Sequence, residues 1–151
     1  MIKIIAIGRK HEAWIADGVE RYQKRLAKPW NAEWILLPHS ARDSLAARQE
    51  ESGRILSKLT TDDFVILLDE RGKLLDSPAL SHQLEQVFTM GKTPVIIIGG
   101  AYGVDETITA RANLVWSLSP LVFPHQLVRQ ILAEQLYRAR EIAAGHPYHH
   151  E

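Results

Sequence analysis

The chain has 151 residues, 46% of them apolar and 24% charged, which predicts one domain spanning 1–151 with a sizeable buried core. Eighteen Lys and Arg balance eighteen Asp and Glu, excluding a polyelectrolyte or a charged disordered tail, and the lack of cysteine removes disulfides, thiolate metal sites and Cys nucleophiles. No apolar run approaches the roughly 18 residues of a membrane span and no signal peptide is visible, so a cytoplasmic protein with no membrane partner is expected.

Ile2–Gly8 reads as a buried strand, an apolar run ended by Gly. His11–Lys28 has the spacing of a helix, with Trp14, Ile15, Val19, Tyr22 and Leu26 on one face and Pro29 as its stop. Trp34–Leu37 is a second strand, closed by Pro38. Asp43–Leu59 is helical, with Ser44, Arg48, Glu51 and Arg54 turned outward and Leu45, Ile55, Leu56 and Leu59 inward. Phe64–Asp69 makes a third strand, followed by a polar turn at Glu70–Lys73. Ser77 and Pro78, as N-cap and N1, open a helix that runs to Gly91. Val95–Ile98 is the fourth strand, ending in Gly99-Gly100. A short helix at Asp105–Ala112 precedes a last strand at Asn113–Leu118. His125–Ala144 is the final helix, with Val128, Leu132, Leu136, Ala139 and Ala143 at near-helical spacing. Strands alternating with helices predict an α/β fold, a mostly parallel sheet sandwiched by helices. Ligands of such sheets gather at the carboxyl ends of the strands.

Four segments have chemistry to offer. The turn Gly99-Gly100-Ala101-Tyr102-Gly103 lets backbone approach a ligand, yet lacks the pattern of a phosphate loop. Ser117–His125 carries two prolines and an apolar stretch, a stiff wall suited to the edge and face of a purine. The end of the chain, His146-Pro147-Tyr148-His149-His150-Glu151, is rich in groups that titrate or stack. A metal reading of His146, His149 and Glu151 is weak, because adjacent tail residues seldom form a rigid site, and no metal is expected. Arg21, Lys24, Arg25 and Lys28 fall at i, i+3, i+4 and i+7, one basic stripe on the first helix. They belong to a charge asymmetry: residues 1–30 hold 7 basic and 3 acidic residues, so a neutral chain still has a patch for a polyanion. The four tryptophans, Trp14, Trp30, Trp34 and Trp116, read as core or interface.

In order along the chain come Leu67-Leu68-Asp69, Ile98-Gly99-Gly100, Trp116-Ser117-Leu118-Ser119, Phe123-Pro124-His125-Gln126-Leu127-Val128-Arg129, Glu134-Gln135-Leu136-Tyr137-Arg138-Ala139 and His146-Pro147-Tyr148-His149. This set resembles the RlmH (YbeA) family of bacterial SPOUT-class RNA methyltransferases over essentially the whole chain. The resemblance implies a SPOUT-type fold with a C-terminal trefoil knot and a homodimer. It implies S-adenosyl-L-methionine as methyl donor and N3 of a pseudouridine in helix 69 of 23S rRNA, within the assembled 70S ribosome, as acceptor. By family position, Leu68, Gly100 and Ser119, Pro120, Leu121, Val122, Phe123 and Pro124 match the cofactor segments. Tyr148 and His149 match the tail placed near the target base, and Arg138 an arginine of the last helix.

On that reading His149 is the candidate base for the N3 proton, Tyr148 orients or stacks on the ring, and Arg138 stabilises developing charge. Arg21, Lys24, Arg25, Lys28 and His150 are the candidate RNA contacts. The dimer is expected to bury the apolar face of the last helix. The alternatives are a SPOUT enzyme with another RNA target, such as tRNA, and a non-catalytic RNA-binding module.

Overall fold

Successive residues of a strand point to opposite faces, so runs such as Ile4–Ile7 and Val95–Ile98 are apolar throughout only if both faces are covered. The computed structural model, which describes residues 1–150, realises this as a five-stranded sheet with helices on both sides. The strands are β1 (Ile2–Ile7), β2 (Ala32–Leu37), β3 (Asp63–Leu74), β4 (Thr93–Ile98) and β5 (Leu114–Ser117). All pairings are parallel, in the order β2-β1-β4-β3-β5. The helices are α1 (Ala13–Gln23), α2 (Ser44–Leu56), α3 (Ser77–Thr89), α4 (Glu106–Arg111) and α5 (His125–Ala143).

On one face Ile2, Ile4, Ile66, Ile96 and Ile98 pack with Leu80 and Leu84 of α3 and Leu132, Leu136 and Ala139 of α5. On the other, Ile5, Ile7, Val65, Leu67, Val95 and Ile97 pack with Ile55 of α2 and Ile108 of α4. The last helix therefore buries its apolar stripe within its own chain. That overturns the expectation that this stripe needs a second subunit to cover it. Among the described residues no helix is long and apolar enough to cross a membrane.

Two element boundaries differ from the sequence reading by five residues. Helix α1 ends at Gln23, five residues before Lys28, and the chain continues in tight turns from Arg25 N–H to Tyr22 O and from Leu26 N–H to Gln23 O. The Gln23 side chain explains the stop: it donates to Ala32 O at 3.2 Å and accepts from Trp34 Nε1 at 2.8 Å, tying the helix end to β2. The basic stripe is thus not helical throughout. Arg21 lies in the last turn, Lys24 is the C-cap, and Arg25 and Lys28 lie beyond it.

Strand β3 also runs through the expected turn at Glu70–Lys73. Its pairing with β5 shifts register there, so that Leu68 and Lys73 both face Trp116. The extra residues bulge out, and Gly72 lets the returning strand press on the backbone of Val115 and Trp116. Of the tryptophans, Trp30 and Trp116 are buried, Trp34 packs against the core, and Trp14 is 58% exposed.

Candidate functional site

The carboxyl ends of β3, β4 and β5 open into a cleft of about 410 Å³. Its walls include Leu68 from β3, Gly99 and Gly100 after β4, and Leu118, Ser119, Leu121, Val122, Phe123 and His125 from the connection between β5 and α5. The structure thereby brings together six of the cofactor candidates: Leu68, Gly100, Ser119, Leu121, Val122 and Phe123. Pro120 and Pro124 do not line the cleft; Pro124 instead stands at the N-cap of α5, where its restricted φ suits the entry to a helix. Within the connection Ser117 Oγ donates to Ser119 O at 2.9 Å and Leu121 N–H donates to Ser119 Oγ at 3.0 Å. That folded loop leaves Leu121 and Val122, at 70% and 76% exposure, as an apolar rim.

The glycine turn opposite is closed by Gly103 N–H donating to Gly100 O at 3.0 Å, with Gly103 at a φ of 74° that favours glycine. Asp69 and Arg71 form the outer edge, paired at 2.9 Å, and the guanidinium holds the Asp69 carboxyl below its ordinary range.

Behind this cleft lies a polar cluster absent from the sequence reading. Arg129, 1% exposed, donates through Nη2 to the carbonyls of Ile7 and Gly8 at 3.0 and 3.1 Å, and through Nη1 to Lys10 O at 3.2 Å, beside His11 Nδ1 at 3.3 Å. It fixes the carboxyl end of β1, and burial lowers its pKa. Gly8, at φ 121°, admits this guanidinium, since a Cβ would sit 2.8 Å from Nη2. Glu51 is equally unexpected: placed outward by the helical reading, it is 4% exposed and accepts from Ser40 N–H at 2.9 Å. Leu45, placed inward, is 59% exposed. His125, on the cleft wall, has its pKa lowered by burial, then by Arg129 and His39, with Glu51 opposing. One signal for Arg129 was present, because it precedes Leu132 by three residues and so falls in phase with the buried stripe of α5.

The catalytic candidates gather elsewhere. Tyr148 packs edge-on against Tyr137, with ring centroids 4.8 Å apart, and the Arg138 guanidinium lies 4.8 Å over the Tyr148 ring. Arg138 donates to Glu134 Oε1 at 2.7 Å and approaches His149 Nδ1 at 3.1 Å. An arginine can only donate, so Nδ1 accepts and the proton of a neutral His149 ring resides on Nε2. Burial, followed by the Glu134 charge, raises the Tyr148 pKa.

His149 lines a second cleft of about 520 Å³ with Leu75, Ser77, Trp116, Leu118 and Gln135. Leu118 belongs to both clefts, which are otherwise separately lined. His146 is committed to Glu141 at 2.5 Å and His149 to Arg138, while Glu151 lies outside the described residues. Among the described residues no cluster of three His, Asp or Glu suits a metal ion. Arg21, Lys24, Arg25, Lys28 and His150 are all exposed, and Arg25 reaches 5.7 Å over the Tyr137 ring, at the edge of the tail cluster.

A family model described as Predicted SPOUT methyltransferase matches residues 1–149. Relatives named Ribosomal RNA large subunit methyltransferase H are similar along their whole length. The protein of Hahella chejuensis is 41% identical over 154 aligned residues, covering 99% of each chain. That of Francisella tularensis subsp. novicida is 40% identical over 152, covering 98% of each. Among solved structures, a probable methylase family protein from Haemophilus influenzae Rd KW20 superposes with a TM-score of 0.58 at 15% identity, covering 99% of this chain and 70% of that one, a likeness of fold.

Proposed function

The chain belongs to the SPOUT methyltransferases, in the family of the Ribosomal RNA large subunit methyltransferases H, and from that premise we propose that it methylates N3 of a pseudouridine in helix 69 of 23S rRNA on the assembled ribosome, using S-adenosylmethionine. The observation that carries this reading is the cleft itself. Leu68, Gly100 and the 119–123 loop, distant in sequence, wall one cavity at the strand ends, and its volume falls within the range of about 300–1,000 Å³ of small-molecule sites. The residues present fit such a ligand. Backbone groups of the glycine turn and of the 117–124 loop would hold an adenine edge and Leu118 and Phe123 would cover its face, while Gly100, without a Cβ, lets the turn close over Glu51 and Ile7 behind it.

When bound, S-adenosylmethionine supplies an electrophilic methyl group, so the protein's task is chiefly alignment and management of one proton. His149 is proposed as the acceptor of the N3 proton. Its Nδ1 must then be released by Arg138, whose guanidinium becomes free to meet the developing negative charge on the ring. Tyr148, stacked under Arg138, orients the base. Exposed Arg21, Lys24, Arg25 and Lys28 offer charge to the RNA backbone, and exposed His150 is a further candidate contact.

A homodimer accounts for Trp14, Leu121 and Val122, large apolar side chains left open to solvent. The knot implied by the family resemblance, a single domain over 1–151 and a cytoplasmic location belong to the same proposal. The test is transfer of labelled methyl groups to whole ribosomes, isolated large subunits, free rRNA and tRNA, using ribosomes from cells without this activity. Label in large-subunit rRNA of whole ribosomes alone is the expected result. Label in tRNA overturns the substrate, and no label with no cofactor binding overturns the activity.

A further inference from the structure

The carboxylate of Glu51 lies against the back of the cofactor cleft with half of its hydrogen-bonding capacity unused. Oε2 accepts from Ser40 N–H, whereas Oε1 is buried without a partner. Oε1 is aimed at Gly100, where a Cβ would stand only 2.6 Å away. Gly100 is a wall of the cleft, so the backbone of one glycine separates an unpartnered carboxylate oxygen from the ligand space.

The turn is held in this position from the same helix. Arg48 Nε donates to Tyr102 O at 2.8 Å, and Ser52 Oγ accepts from Asp105 N–H at 2.9 Å, so α2 grips the glycine turn on either side of Glu51. Among the described residues no Lys or Arg forms an ion pair with Glu51. His39 Nδ1 stands 3.9 Å away on a side chain that is largely exposed. Arg129 directs Nη1 and Nη2 to the carbonyls of Ile7, Gly8 and Lys10, beside the ring of His11, and its Nε is buried without a partner. A buried carboxylate in this state is costly unless positive charge arrives.

We propose that Glu51 is a specificity-determining residue of the cleft, whose buried carboxylate behind Gly100 favours a cationic sulfonium ligand over the neutral thioether that remains after methyl transfer. The inference rests on the cofactor reading above and adds a reason for exchange. The spent product loses an attraction that the fresh donor retains, so Glu51 biases the cleft toward reloading.

The test compares S-adenosylmethionine with S-adenosylhomocysteine by calorimetry on the wild-type chain and on Glu51→Gln, which keeps the shape and the acceptor for Ser40 N–H while removing the charge. The preference for the sulfonium over the thioether should fall about tenfold in the variant, the size of one charge–charge interaction across a partly screened interior. A purely structural Glu51 predicts equal losses for both ligands; equal losses, or none, overturn the proposal. A second measurement needs no variant: on the wild-type chain, an analogue carrying a primary ammonium in place of the sulfonium should bind about tenfold more tightly than the thioether. Equal or weaker binding overturns the proposal even if Glu51→Gln does not fold. Failure of the wild-type chain to bind any of the three ligands overturns the cofactor reading and this proposal with it.

Discussion

Replacing Gly72 by Ala puts a methyl group where β3, after its register shift, rejoins β5. The added Cβ would lie 2.7 Å from the carbonyl carbon and oxygen of Val115 and 2.8 Å from Trp116 N. All three are backbone atoms, which cannot yield as the end of a flexible side chain does. The pairing of Lys73 and Leu74 with Trp116 and Ser117 must open, or β5 must move outward. Overpacking of this kind costs about 1–3 kcal/mol. In a chain of this length each kcal/mol shifts Tm by about 2–4 °C, so a fall of about 2–12 °C is expected. Because β5 leads into the loop at residues 117–124, cofactor affinity should fall with it.

Gly53→Ala is the matched control. It lies inside α2 with nothing within 4 Å of its added Cβ, so helix propensity and chain entropy act alone, giving a gain of about 0.5–1 kcal/mol. Thermal melts followed by circular dichroism, with calorimetric titration of S-adenosylmethionine, measure both variants. A Gly72→Ala protein melting at or above the wild-type temperature, or both substitutions moving Tm in one direction, refutes the reasoning.

Arg129→Met strips the Ile7 and Gly8 carbonyls of their buried donor and should cost about 3 kcal/mol in urea unfolding; a loss below about 1 kcal/mol contradicts that structural role. The Tyr137 hydroxyl donates to Glu141 at 2.7 Å and, with His146 and Arg140, holds the Glu141 carboxyl below the ordinary glutamate range. A depressed folded pKa means that the stabilisation is complete above the unfolded value and is lost as pH falls through the folded one. The Tm of the wild type should therefore drop more steeply on acidification than that of Glu141→Gln; parallel curves refute the assignment. His149→Ala should lower methylation by about 100-fold or more if it is the base while leaving cofactor affinity unchanged, and full activity removes it from that role. Reversing the charges of Arg21, Lys24, Arg25 and Lys28 should weaken ribosome binding and flatten its salt dependence; unchanged affinity would clear that face of any RNA contact.

Much of the fold was legible because apolar runs and helical spacing report burial directly. The unbroken apolar runs in β1 and β4 called for helices on both sides, and the two core clusters divide the strand residues by parity accordingly. The start of α4 was legible near Asp105, whose own side chain caps the helix by accepting from Thr107 N–H. For α3 the local signal was off by one: Asp76, not Ser77, is the N-cap, because its carboxylate accepts from Ala79 N–H. The true end of α1 was hidden, since Gln23 stops it through bonds to Ala32 and Trp34, whose proximity depends on how β2 docks. Likewise the polar run Glu70–Lys73 looks like a turn until Trp116 is seen to pair on both sides of it.

The candidate site divides along the same line. Local sequence determined that Gly99–Gly103 turns tightly, that the 117–125 segment is stiff and apolar, and that the tail holds titratable and aromatic groups, because these properties belong to residues and their immediate neighbours. Only the tertiary structure decided which of them meet. The strand order β2-β1-β4-β3-β5 places Leu68, Gly100 and Phe123 on one cavity and sends His149 to another that touches it at Leu118. It also turns Glu51 and Arg129, charged residues on helices with ample exposed surface, into the two buried charges behind the strand ends. Helical periodicity says which residues share a face. Whether that face meets water or the back of a glycine turn is settled by contacts that link residues about fifty to one hundred and twenty positions apart, which no local pattern records.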